Sequence, residues 1–400
     1  MTETARPPAD PGATPTAARA LAPDLARGGM LLLIALANVH LFLWGHPVGA
    51  RGYPADVAGA DRGVALVQTM VVDGRAYPLF ALLFGYGIGQ LTRRYRASGA
   101  EEVAVRRLVR RRGGWMVLIG SVHAALLWSG DIVGVYGLLA VLLAGVLVGA
   151  RDAALVRLAV AGIVLGGLLG LLTGLPPAPG VDAFLPSMQI AEPGVAALFR
   201  LGEWLVAGLI FTSMSTFGLV ALGVRAARRR ILDDPERHRV LLRRVAVGGI
   251  GAGVLAGLPM GLLSGQIVPE PGTGLVLLAG VLHTVGGYAA GVGYAAAFGL
   301  LAIRLAHRPA GPVGGAVLAC GRRSLSSYLA QSLVFVPLLP AWALGLGEVL
   351  ALWQASLLAV ATWACVLVLA ALTERAGYRG PAEVLLRRLT YGRRRSEART

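Results

Sequence analysis

GGWMVLIGSVHAALLWSGD, residues 113–131, is an apolar run long enough to cross a bilayer. It carries His123 inside it and ends on Asp131. Ionisable groups at membrane depth are costly, so they face a polar cavity, pair with a partner or do chemistry. The stretch therefore raises two questions: whether the chain crosses a membrane many times, and whether its buried polar groups form a site.

Bulk composition answers the first. The chain has 400 residues, is 56% hydrophobic and only 14% charged, with a mean hydropathy of +0.68. A soluble protein of this length could not cover that much apolar surface with so few charges. The net charge of +16 comes from arginines, with no lysine in the chain. They fall in short clusters between apolar runs, where they set orientation and meet anionic headgroups. That distribution excludes nucleic acid as a partner. Cys320 and Cys365 have neither metal-ligand spacing nor a disulfide framework.

Taking about 20 mostly apolar residues per crossing predicts an all-α, polytopic transmembrane bundle of about ten spans. They lie at roughly 28–46, 64–91, 113–130, 132–150, 153–173, 201–224, 245–264, 274–303, 324–343 and 347–372. Arg75 and Pro78 predict a break in the second, and 312–322 reads as a short re-entrant piece. With ten spans, the arginine-rich loops 92–112 and 225–244, Arg322, Arg323 and the basic tail all fall on one side. The positive-inside rule then predicts that both termini are cytoplasmic. It places His123 in the outer half of the membrane and Asp131 at the outer face. The expected organisation is a disordered tail over 1–22, the bundle over 23–373 and an amphipathic basic tail over 374–400.

Five blocks stand out: DLARGGMLLLIALANVHLF (24–42), RAYPLFALLFGYGIG (75–89), GSVHAALLWSGDIVGVYGLLA (120–140), GRRSLSSYLAQS (321–332) and RGPAEVLLRRLTYGR (379–393). Together they resemble the YeiB-like DUF418 group of bacterial membrane proteins, related to the heparan-α-glucosaminide acetyltransferase and acyltransferase-3 transmembrane acyltransferases. The likeness runs from Asp24 to Arg393, and the tail block is its most specific part. It implies a multi-pass protein of the bacterial cytoplasmic membrane. The implied activity moves an acyl group from acyl-CoA to a hydroxyl or amine of a glycan or secondary metabolite. No tightly bound cofactor is implied; acyl-CoA would be a co-substrate. Membrane lipids and the acceptor are the expected partners, and a homodimer is left open. A small-molecule transporter or exporter is the alternative, since many spans with sparse intramembrane charge suit it as well.

The residues themselves narrow the site. A neutral imidazole at His123 could act as a general base, with Asp131 orienting it. Eight residues apart on a straight helix means about 12 Å and about 80° of rotation. A direct bond is therefore not expected, and any coupling would pass through water, substrate or a break at Gly130. The bland alternative is that His123 bonds a facing helix and Asp131 caps the next span. Asp24 and Arg27 share a helix face and form a cap with a topology-setting arginine, a polar latch or a contact to a phosphorylated donor. Arg322 is a second candidate for holding such a phosphate. Asn38, Arg75, Ser327 and Gln331 are candidates to line the acceptor cavity. Arg75 either snorkels to headgroups or neutralises Asp73 or Asp131. His40 reads as an outer-interface residue and His283 as structural. No Walker loop, HExxH, GxSxG or Cys/His metal cluster is present, so no metal is expected.

Overall fold

Lipid offers no partner for a backbone N–H or C=O, so spanning segments must satisfy their own. Accordingly, the described residues form helices and no strands, apart from isolated bridges Trp44–Ala183 and Val48–Pro54 in the loops. The structure is a computed structural model that describes residues 20–175, 177–178, 180–268, 272–307 and 310–392. In chain order the helices are α1 (Leu21–Val39), α2 (Ala60–Val71), α3 (Ala76–Ala97), α4 (Glu102–Leu126), α5 (Val133–Gly149), α6 (Asp152–Gly174) and α7 (Pro193–Glu203). A π-helical segment, Trp204–Thr212, leads into α8 (Ser213–Arg228). Then follow α9 (Arg239–Ser264), α10 (Thr273–Ala306), α11 (Pro312–Arg322), α12 (Ser324–Leu338), α13 (Leu352–Arg375) and α14 (Pro381–Tyr391).

Among the described residues six stretches are long and apolar enough to cross a bilayer: Leu21–Phe42, Asp152–Gly174, Pro193–Arg228, Arg239–Ser264, Thr273–Ala306 and Leu352–Arg375. Val133–Gly149 and Ser324–Leu338 are apolar but shorter. The chain is a multi-pass helical membrane protein. The 25 residues of α4 are less apolar, because five arginines crowd its first half. Of the segment read as an N-terminal tail, 1–19 lies outside the described residues, as does 393–400.

The second predicted span is broken where its charges suggested. Between α2 and α3 the chain turns through Val72–Arg75, with Gly74 at φ +72°. Pro78 sits in the first turn of α3, where its missing N–H costs no helical bond. The piece at 312–322 is the separate helix α11. Val317 lies against Gly28 and Asp24 against Gly321, so α11 runs antiparallel to α1.

Glycines set the closest helix crossings, as expected where small residues rather than hydrophobic burial hold helices together. At the α3–α8 crossing, a Cβ on Gly85 would lie 2.0 Å from the Val220 carbonyl oxygen, and one on Gly223 2.0 Å from that of Leu82. Arginines finish the helices at the basic end of the bundle. Arg96 and Arg228 donate to the last carbonyls of the α5 region, Val148 O at 2.8 Å and Ala150 O at 2.6 Å respectively. At the other end, the loop after α1, the segment 181–188 and the segment 339–350 tie together. Gly45 N–H donates to Asp182 O (2.8 Å) and Trp44 Nε1 to Leu339 O (3.1 Å).

Gly223→Val is expected to force α3 and α8 apart, costing about 1–3 kcal/mol or more, whereas Gly114→Val, with nothing near its Cβ, is expected to be neutral. Apparent Tm of the two purified variants in detergent distinguishes them.

Candidate functional site

The α4 helix stops at Leu126, short of Asp131. The His123 carbonyl accepts both the Leu127 N–H (2.8 Å) and the Trp128 N–H (2.9 Å), and the chain folds back through 127–132 into α5. Three features hold this end in place. Arg200 of α7 donates twice to Ala125 O, satisfying a carbonyl the helix leaves open. The Trp128 ring stacks on Phe42 at 4.0 Å. Asp131 Oδ1 accepts the Gly134 N–H at 2.7 Å, capping α5 from just outside it.

The fold-back brings the two ionisable groups together. His123 Nδ1 lies 2.8 Å from Asp131 Oδ2, and the side chains are only 2% and 0% exposed. Of the three routes left open, water, substrate or a break near Gly130, the structure shows the last, and the break makes the bond direct. The break comes earlier than Gly130, because α4 ends four residues before it. The carboxylate therefore does two jobs, one oxygen capping α5 and the other holding the imidazole.

The second ring nitrogen is also engaged. His123 Nε2 lies 2.9 Å from Ser332 Oγ on α12. A carboxylate on Nδ1 selects the tautomer with the proton there. Nε2 is then a lone pair, and Ser332 donates its hydroxyl proton to it. Ser332 was the last residue of the fourth sequence block but was not among the candidates. Its signal was the i, i+4 spacing from Tyr328, which puts the two on one helix face, and both are buried. Tyr328 lies beside the imidazole, with ring centroids 5.4 Å apart. Gln331 Nε2 donates to Leu31 O (2.9 Å), and Ser327 Oγ reaches Cys320 O only at 3.5 Å. Among the described residues, buried donors around the fold-back without a partner include Trp128 Nε1, Ser129 Oγ, Trp204 Nε1 and Arg200 Nη1. Trp204 opens the π-helical segment and packs against Gly134, next to the Asp131 cap.

A second polar group forms at the α2–α3 break. Arg51, from the loop after α1, makes a two-bonded pair with Asp73, Nε to Oδ2 and Nη2 to Oδ1, both 2.9 Å. Arg75 is fully buried and gives Nη2 to Gly253 O at 2.8 Å and Nη1 to the main-chain oxygen of Asp73. Arg75 Nη1 also touches the His283 ring, 3.0 Å from Nδ1. His40 stacks on Tyr53 at 4.0 Å, and its Nε2 meets Arg51 O at 3.2 Å. Arg75 thus neither snorkels nor pairs with a carboxylate, because Arg51 takes the Asp73 carboxylate. Arg51 and Asp73 were missed as a site because they sit 22 residues apart in a loop and a turn. His283, read as structural, belongs to this group. Among the described residues the hydrogen bonds of His123 go to Asp131 and Ser332, and those of Arg75 to Asp73, Gly253 and His283; Asn38 is half-buried.

The two arginines read as donor-binding sit together at the basic end. Arg27 donates to Asp24 (2.9 Å), and Arg322 approaches Asp24 at 3.9 Å while bonding Glu374 at 2.7 Å. Asp24 is therefore a latch between arginines and not a helix cap. Arg323 also pairs with Glu374. Glu383 of α14 accepts the Leu325 and Ser326 N–H groups, at 2.8 and 3.2 Å, and so caps α12. The tail block is thus a helix docked on the bundle, with Leu386 buried.

Residues 226–393 match the family model DUF418, described as a protein of unknown function. The chain is similar to the uncharacterized protein YxaH of Bacillus subtilis (strain 168), 27% identical over 362 residues, covering 84% of this chain and 83% of that protein. It is also similar to the uncharacterized protein YeiB of Escherichia coli (strain K12), 33% identical over 118 residues, 29% of this chain and 28% of that protein.

Asp73→Leu strands the Arg51 guanidinium in the bundle and is expected to cost about 3–5 kcal/mol. The double variant Arg51→Leu/Asp73→Leu is expected to recover part of that loss. Apparent Tm across the double-mutant cycle checks the coupling.

Proposed function

Given that this chain is a YeiB-like member of the DUF418 family, we propose that it is an integral-membrane acyltransferase. It moves an acyl group from acyl-CoA to a hydroxyl or amine acceptor, a glycan or secondary metabolite, in the bacterial cytoplasmic membrane. About ten spans with both termini in the cytoplasm put the Arg27 and Arg322 end on the side where acyl-CoA is available. Their guanidinium groups would meet the donor's phosphates.

The observation that carries the reading is the buried Asp131–His123 pair. Asp131 orients the ring and stabilises the imidazolium that forms when Nε2 takes a proton. Proton abstraction by a positioned base is what acyl transfer to a hydroxyl or neutral amine requires. The unpartnered donors Trp128 Nε1, Ser129 Oγ and Trp204 Nε1 are available to a developing oxyanion. The other candidate cavity residues divide: Gln331 and Ser327 share the buried face of α12, Arg75 is held at the α2–α3 break, and Asn38 keeps its proposed place in the cavity lining.

The α2–α3 break favours a second reading, transport of a small solute. A discontinuous helix with Asp73 and Arg75 at its gap is a recurrent way to build an ion or substrate site. Under that reading Asp73→Asn abolishes flux in vesicles while His123→Ala leaves it unchanged.

For the enzyme reading, purified protein in nanodiscs is supplied with labelled acetyl-CoA and a panel of hydroxyl and amine acceptors. His123→Ala is expected to lower acyl transfer by about 10²–10⁴-fold, with apparent Tm reported alongside. A His123→Ala variant that transfers at the wild-type rate overturns the reading.

A further inference from the structure

We infer that Ser332 is the nucleophile of a covalent acyl-enzyme, so that the transfer runs by double displacement. The inference rests on the acyltransferase reading and adds a step and a residue to it. Its ground is occupancy. Both nitrogens of His123 are engaged, Nδ1 with Asp131 at 2.8 Å and Nε2 with Ser332 Oγ at 2.9 Å. A base can take a proton only from a group within hydrogen-bond reach. The proton already on the Nε2 lone pair is that of Ser332, so an acceptor could be deprotonated directly only after displacing it. The arrangement is nucleophile, base and orienting carboxylate in hydrogen-bonded sequence, the geometry that activates serine on unrelated folds.

Burial strengthens the argument. His123, Asp131 and Ser332 are at most 5% exposed, and in low dielectric the hydroxyl has no competing water to donate to. Ser332 is also held from behind. The helix that carries it is capped by Glu383, and its neighbour Gln331 is bonded to α1 through Leu31 O.

The steps balance. Ser332 Oγ attacks the thioester carbonyl carbon and gives its proton to His123 Nε2. The tetrahedral intermediate collapses with cleavage of the C–S bond, and the imidazolium returns the proton to the departing sulfur, releasing CoA as the thiol. Ser332 is now an ester without a proton, which frees the Nε2 lone pair. The acceptor hydroxyl or amine enters, gives its proton to Nε2 and attacks the ester carbonyl. The C–Oγ bond breaks and Oγ recovers the proton. No oxidant, metal or further co-reactant is needed.

The test uses the full-length protein in nanodiscs with [¹⁴C]acetyl-CoA, without acceptor, quenched in acid and digested for mass spectrometry. One acetyl group is expected on the peptide containing Ser332, with release of one equivalent of CoA. Ser332→Ala is expected to carry no label and to lower CoA release by about 10³-fold or more. Ser332→Cys keeps a nucleophile of similar size and is expected to hold the label as a thioester, cleaved by neutral hydroxylamine where the serine ester is not. That variant answers the question even if the alanine variant folds poorly. If acyl transfer to an acceptor proceeds in Ser332→Ala, or the wild type transfers without ever carrying label, the covalent step is wrong and the acyltransferase reading stands. If the wild type neither takes label nor cleaves the thioester, both are overturned.

Discussion

An imidazole and a carboxylate inside an apolar bundle must find each other, because neither can find water. The bond between His123 and Asp131 is the constraint on which the rest of the site depends. To make it, α4 has to end at Leu126 and the chain has to double back before α5 begins. Ending a helix at membrane depth exposes carbonyls, and Arg200 reaches in from α7 to take one of them. Starting α5 there exposes N–H groups, and the same Asp131 caps one. The bond is paid for by a local arrangement in which nearly every polar group has a second duty. Donors on Trp128 and Ser129 in the turn, and on Arg200 and Trp204 beside it, are left without a partner.

The site also links distant parts of the chain. Ser332 comes from α12, and α12 is positioned by Glu383 on α14. The tail block therefore has a structural meaning: it clamps the start of the helix that meets His123. The region matched by the family model, 226–393, holds this clamp and Ser332. His123 and Asp131 lie in the part before it. The site needs both.

Much of this could be read from residue order, and the part that could not has a physical reason. His123 and Asp131 were conspicuous because charge is rare in apolar runs, and the break near Arg75 was conspicuous for the same reason. Helix arithmetic made their direct contact unexpected unless the chain broke near Gly130. That arithmetic is correct for a straight helix and fails because Trp128-Ser129-Gly130 turns the chain. The bland reading, a facing-helix bond and a cap, holds together with the direct bond: His123 does meet α12 and Asp131 does cap α5. Ser332 was hidden because serine is common in packed transmembrane helices and carries no charge to flag it. Arg51 and His283 were hidden because their meeting with Asp73 and Arg75 joins a loop, a broken helix and α10, which no local spacing encodes.

The most direct test of the account is an experimental map of the protein in a lipid nanodisc, resolved well enough to place side chains around residues 120–135. The account predicts a helix ending at Leu126, with His123 Nδ1 and Asp131 Oδ2 in hydrogen-bond contact near 2.8 Å and Ser332 Oγ on Nε2. A helix that runs on through Gly130, separating the two side chains by about 12 Å along its axis, would contradict it.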